Sequence, residues 1–216
     1  MNGAKIQLSQ EERTLLMNPG WILTKNSIMA KVGELLAGLS QEFSLHFPEE
    51  VIGRMALQER SPGEDAGLLP ANWASPKISK GENYKGLPWM VLDYPRAFGR
   101  QDVLAIRTLF WWGHYFSVTL HLKGRYLNDW LPFIRERIAL LAAAGFHAGI
   151  SNDEWRHELD SGSYLPLQED MDTTIGQGRL FLKLSAKCGL DKWDEAGSVL
   201  LELFRVLVEV LTARDH

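Results

Sequence analysis

Cysteine is nearly missing: Cys188 stands alone in 216 residues, so no intramolecular disulfide is available. The start of the chain also lacks a charged stretch followed by an apolar run and a small-residue cleavage site. Together these shortages favour the cytoplasm. Long apolar runs are absent too. The most apolar stretch, residues 130–146, is broken by Arg135, Glu136 and Arg137, far short of the roughly 20 residues that span a bilayer. The expectation is a soluble protein with no membrane partner.

Missing motifs narrow the chemistry further. No glycine-rich strand-to-helix turn of the dinucleotide or phosphate-loop type occurs, which disfavours a Rossmann fold. There is no G-x-S-x-G elbow for a hydrolase and no aromatic RNP pattern or GXXG loop for RNA. A net charge of -4 argues against a dedicated DNA-binding module, so nucleic acid is not expected as a partner. The 6 histidines are badly spaced for a metal. His114 and His121 fall on opposite faces of one expected strand, His46, His147 and His157 are isolated, His216 is terminal, and Cys188 has no C-x-x-C partner. No metal site and no cofactor are expected.

What is present is ordinary globular composition, 45% hydrophobic and 23% charged, enough for a conventional core. Ser9 and Glu12 have the S-x-x-E form of a capping box and predict a short helix that ends at Asn18-Pro19-Gly20. Over residues 21–47, Ile28, Val32, Leu35, Leu36, Leu39 and Phe43 recur at helical spacing and mark one buried face. Residues 61–86 are punctuated by Pro62, Gly63, Pro70, Pro76, Gly81 and Gly86 and read as a long loop. Leu68, Leu69, Trp73 and Tyr84 give that loop apolar anchors, which favours an ordered flap.

Residues 87–94 predict a strand stopped by Pro95, and 101–109 a short helix with Asp102 in its first turn. From 114 to 122 the positions separate cleanly. His114, Phe116, Val118, Leu120 and Leu122 point one way, while Tyr115, Ser117, Thr119 and His121 point the other. A helix capped by Asn128 and ended by Gly145, a short helix over 153–159, a strand over 179–186 and a last helix over 191–213 follow. Strands in the middle and helices at both ends predict a single α+β domain over 1–216. Its small, mostly antiparallel sheet is packed by long N- and C-terminal helices.

Candidate function concentrates between Lys77 and Arg125, where 8 cations meet 3 anions. The polar row of Tyr115, Ser117, Thr119 and His121 would line a cleft beneath the flap. Asp93 and Arg96 stand at the end of the preceding strand, where ligand-contacting groups gather, and Arg107 is close by in sequence. With Lys80, Asn83 and Tyr84 these ten residues are the candidate ligand-binding set. Ser117 and His121 lie about 13 Å apart along an extended strand, too far for a catalytic dyad.

The reading that follows is a binding module for a small anionic ligand or an acidic partner segment. One alternative is an enzyme of unknown reaction and unknown catalytic groups, built around Asp93, Tyr115 and His121. Another is an oligomeric interaction protein using some of the 8 tryptophans and the last helix, so a homo-oligomer is a possible partner state.

The stretches WILTKN (21–26), SPKISKGENYKGLPWMVLDYPR (75–96) and IRTLFWWGHYFSVTLHL (106–122) resemble a group of uncharacterised bacterial hypothetical proteins of similar length. The likeness covers most of the chain. It implies a bacterial, cytosolic, single-domain protein and transfers no site.

Overall fold

The structure, a computed structural model, describes residues 6–46, 75–159, 162–171 and 175–212. Helix α1 (Gln10–Leu16) opens on the capping box: Ser9 Oγ accepts the Glu12 N–H at 3.1 Å, and the Glu12 carboxylate accepts the Ser9 N–H at 2.6 Å. Pro19 begins α2 (Pro19–His46), where a missing N–H leaves nothing unsatisfied. Met29, Val32, Leu36, Leu39 and Phe43 form its buried face.

A seven-stranded antiparallel sheet is built from β1 (Lys77–Tyr84), β2 (Leu87–Phe98), β3 (Val103–Trp111), β4 (Tyr115–Lys123), β5 (His147–Gly149), β6 (Tyr164–Pro166) and β7 (Phe181–Gly189), in the order β1-β2-β3-β4-β7-β5-β6. Between β4 and β5 run α3 (Arg125–Glu136) and α4 (Ile138–Ala143), and α5 (Ala196–Thr212) follows β7 through a 3-10 turn. Helices α2, α3 and α5 pack on one face of the sheet and bury Leu92, Ile106, Phe116, Leu120 and Leu184 beneath them. Phe43 of α2 stacks on Phe204 of α5, with ring centroids 3.8 Å apart. The fold is therefore α+β, with N- and C-terminal helices flanking an antiparallel sheet. Among the described residues, no helix is long and apolar enough to cross a membrane.

Several expected elements differ. Residues 61–74 of the expected flap lie outside the described residues, but its last part is β1, joined to β2 by a two-residue turn in which Lys85 and Gly86 both have positive φ. That is the geometry the twist of a hairpin favours. Pro95 does not stop β2. The strand continues through a bulge, since the register passes from Asp93 opposite Arg107 to Arg96 opposite Ala105, and a bulge tolerates a residue without an N–H.

The expected helix over 101–109 is instead β3, almost all of whose residues are buried. Its two faces carry the same mixture, apolar residues with Arg107 on one and Thr108 on the other, so there is no alternation to read. Asp102 does act at a helix start, but not its own. Its carboxylate accepts the Arg125 N–H at 2.8 Å and so caps α3, which begins before Asn128. Arg137 separates α3 from α4, and residues 153–159 form turns and extended chain with no helix.

Candidate functional site

Alternation in β4 sends Phe116, Val118, Leu120 and Leu122 into the helix-covered core and Tyr115, Ser117, Thr119 and His121 to the opposite face. His114 precedes the strand, in the turn, stacked on Trp111. Strand register then gathers the polar groups. Arg107 lies opposite Thr119 and Asp93 opposite Arg107, while Lys183 faces His121 and Ser185 faces Thr119 across β7.

This row was expected to line an open cleft beneath residues 61–86. It is buried instead, His121 being 5% exposed and Lys183 3%, and residues 150–159 cover it. Side chains from the sheet hold that strap by its backbone. Tyr115 accepts the Leu159 N–H and donates to the His157 carbonyl, each at 2.9 Å. Tyr84 accepts the His157 N–H at 2.9 Å and donates to Glu158 at 2.8 Å. The Arg156 carbonyl accepts both Lys183 Nζ at 2.5 Å and the Tyr164 hydroxyl at 3.3 Å.

Most charges beneath the strap are paired. Arg107 makes a two-pronged pair with Asp93 at 2.7 and 2.9 Å, and Lys123 donates to both oxygens of Glu154 at 3.0 and 3.1 Å. Lys183 makes no ion pair with a described carboxylate. Burial, then the Arg107 charge, pull its pKa from 10.5 down to about 7 against the opposing influence of Asp153, Glu158 and Glu154. Burial, then Lys183, Arg107 and Lys123, lower His121 to about 3. His157 is pushed well below its usual range by burial and the same Lys183 and Arg107 charges. It is neutral and accepts a long contact of 3.5 Å from Arg107. His121 Nε2 is buried without a hydrogen-bond partner. The enclosed space among these groups is about 10 Å³, near the lower limit for one water.

Phe98, Arg107 and Trp155 wall this space on one side, and their outer surfaces line an open groove of about 300 Å³ together with Lys77, Trp89 and Arg96. Trp155 is the partition. Its indole meets the His121 ring edge-on at 5.8 Å and the Phe98 ring at 6.3 Å, and it remains 48% exposed. Arg96 reaches the groove while donating to the Ser75 carbonyl at 3.0 Å.

Of the ten residues singled out from sequence, Asp93, Arg107, Tyr115, Thr119 and His121 come together under the strap, Tyr84 joins through Glu158, and Arg96 stands at the groove. Ser117 is buried further along the row, opposite Leu109 and Lys187. Two do not belong. Lys80 sits opposite Met90 and so projects to the other face, and Asn83 spends its carbonyl on the Gly86 N–H at 3.0 Å in the β1–β2 turn.

Sequence reasoning missed Lys183, Ser185, His157, Trp155 and Phe98. A usable signal existed in β7, where Phe181, Lys183 and Ser185 alternate with Leu182 and Leu184 as the polar row of β4 alternates with its leucines.

Elsewhere, a groove of about 600 Å³ between α2 and the β1–β2 hairpin is walled by Trp21, Ile28, Leu87 and Trp112, with the Lys25–Glu82 ion pair at its edge. Among the described residues, no three His, Cys, Asp or Glu side chains converge as metal ligands. No protein-family model matches the chain, and no curated protein or solved structure matches it either.

Proposed function

We propose that the protein binds a small anionic molecule with a flat apolar part in the groove beside Trp155. One observation carries this reading. In about 300 Å³, three cationic side chains, Lys77, Arg96 and Arg107, meet three aromatic ones, Trp89, Phe98 and Trp155, with Asp93 the one carboxylate among the described lining residues and already held by Arg107. Guanidinium groups recognise carboxylates and phosphates through paired donors, and indole faces stack on planar rings. Below the groove, the charge left on Lys183 adds a positive field that an anion would offset. A lone buried Cys188 fits a reducing, cytoplasmic setting.

Phenyl phosphate and benzoate, compared with neutral benzyl alcohol, are suitable probes for thermal-shift and calorimetric titration. The anions are expected to raise the melting temperature, less so at high salt. Arg96→Gln is expected to weaken phenyl phosphate by about tenfold to a hundredfold, the value of one charge-assisted hydrogen bond. Equal responses to the anions and the alcohol, or an unchanged affinity in Arg96→Gln, would overturn the reading.

A further inference from the structure

We propose that Lys183 is a reactive amine that forms an imine with a small aldehyde or ketone carrying a carboxylate, reached when the Trp155 indole swings out of its place between groove and pocket. This rests on the binding reading above, because Arg107, which lines both the groove and the pocket, is the cation that would hold the carboxylate.

Placement supports it first. Lys183 projects from β7 into the closed pocket, directly across from His121 on β4. Its one hydrogen bond among the described residues goes to the Arg156 carbonyl, which uses an N–H and leaves the nitrogen lone pair free once the amine is neutral. No described carboxylate pairs with it to hold the proton. Arg107 of β3, His121 of β4 and His157 of the strap surround it with cationic or neutral groups, and Lys123 of β4 acts on the neighbouring His121. Asp153, Glu154 and Glu158 act from the strap, and Tyr164 of β6 lies with its ring 5.9 Å from Nζ. The balance of burial and these charges brings the amine to about 7, so a large share is unprotonated at neutral pH, unlike an exposed lysine.

In the step itself, the nitrogen lone pair attacks the carbonyl carbon and the carbon–oxygen π pair moves to oxygen. The proton that nitrogen gives up ends on that oxygen, giving a carbinolamine. The nitrogen pair then forms C=N as the hydroxyl departs, and the remaining N–H proton passes to it to make water, so amine plus carbonyl yields imine plus water with no oxidant or reductant. His121, opposite Lys183 across the strands, would offer its Nε2, which has no hydrogen-bond partner among the described residues, to the carbinolamine hydroxyl.

The test is reductive trapping of the full chain with cyanoborohydride, using glyoxylate as the anionic probe and acetaldehyde as the neutral one, with peptide mass spectrometry to locate adducts. At pH 7, Lys183 is expected to label at least tenfold faster than exposed Lys80, with glyoxylate preferred over acetaldehyde. Its rate is expected to level off above neutrality. Trp155→Ala is expected to raise the Lys183 rate severalfold. Lys183→Arg keeps a donor for the Arg156 carbonyl and is expected to fold without labelling at that position. Labelling by both probes without preference for glyoxylate would leave the reactive amine standing and remove the groove's role. Labelling of exposed lysines but not Lys183, in both wild type and Trp155→Ala, would overturn the proposal, and a phenyl phosphate response that persisted would leave the binding reading intact.

Discussion

Replacing Lys183 by methionine removes a buried amine while keeping an unbranched chain of similar reach, and its effect on stability depends on pH in a way the structure fixes. In the unfolded chain this amine titrates near 10.5, in the fold near 7. Between those values the unfolded state binds a proton that the folded state does not, so wild-type stability rises with pH across the window. Below about 7 the full penalty applies. At about 1.4 kcal/mol per pKa unit, the burial of Lys183 costs about 5 kcal/mol at and below neutrality. The variant also loses the hydrogen bond to the Arg156 carbonyl, worth about 1 kcal/mol net.

Lys183→Met is therefore expected to be about 4 kcal/mol more stable than wild type at pH 7, with the gain shrinking by up to about 1.4 kcal/mol per pH unit and gone near pH 10. Urea unfolding of both proteins at pH 7, 8 and 9 measures this, and taking the difference cancels the titration of every group that the two share. A difference that stays constant over that range would mean that the amine keeps its ordinary pKa in the fold. Destabilisation at pH 7 by several kcal/mol would mean that the amine is a structural pin, and both results would refute the reasoning.

On the acid side, His121 titrates near 6.5 when unfolded and near 3 in the fold. Its contribution is thus complete above about pH 6.5 and is lost as the pH falls toward 3, by about 1.4 kcal/mol per unit. His121→Gln is expected to flatten the urea midpoint of unfolding between pH 6 and 4 relative to wild type, and an equally steep fall in the variant would assign the acid response to other groups. Asp93→Asn leaves the Arg107 guanidinium, only 19% exposed, without its carboxylate, and is expected to cost about 3–5 kcal/mol in thermal or urea unfolding. Asp93→Leu combined with Arg107→Met should recover most of that loss, and failure of the pair to recover it would give Arg107 a further structural partner.

Elements whose two faces differ in residue type were legible in the sequence, as in α2, α5 and β4, and β3, which mixes polar and apolar residues on both faces, was not. The apolar positions of α2 and α5 repeat at helical spacing because one stripe meets the sheet and the other meets water. The alternation of β4 correctly put His121, Thr119 and Tyr115 on one face. It did not reveal that the face is closed, because the closing residues lie about 30 positions downstream in a stretch with no periodicity. The strap is held through backbone groups by Tyr84, Tyr115 and Tyr164, and bonds to a backbone leave little trace in residue type. Asp102 shows the same limit. Its suitability for a helix start was read correctly, but sequence proximity assigned it to residues 101–109 when the hairpin carries it to the first turn of α3.

The question left by the polar face is why a buried lysine with no ion-pair partner among the described residues is kept where an apolar or neutral side chain would be less costly. Holding the strap does not require it. The Arg156 carbonyl that Lys183 serves is also bonded by the Tyr164 hydroxyl, His157 is fixed at its N–H by Tyr84 and at its carbonyl by Tyr115, and Leu159 by Tyr115 again. Charge balance does not require it either, since Arg107 and Lys123 already answer Asp93 and Glu154. A group that neither pins the strap alone nor completes an ion pair among the described residues, yet carries a penalty of several kcal/mol, marks the kind of local inconsistency that folds tolerate at working sites. The neighbouring His121 follows the same pattern, with a buried nitrogen that makes no hydrogen bond among the described residues and has the Glu154 carboxylate 3.8 Å away. Both groups line the pocket that Trp155, 48% exposed, helps to separate from the groove, and its indole can move without breaking the backbone bonds that hold the rest of the strap.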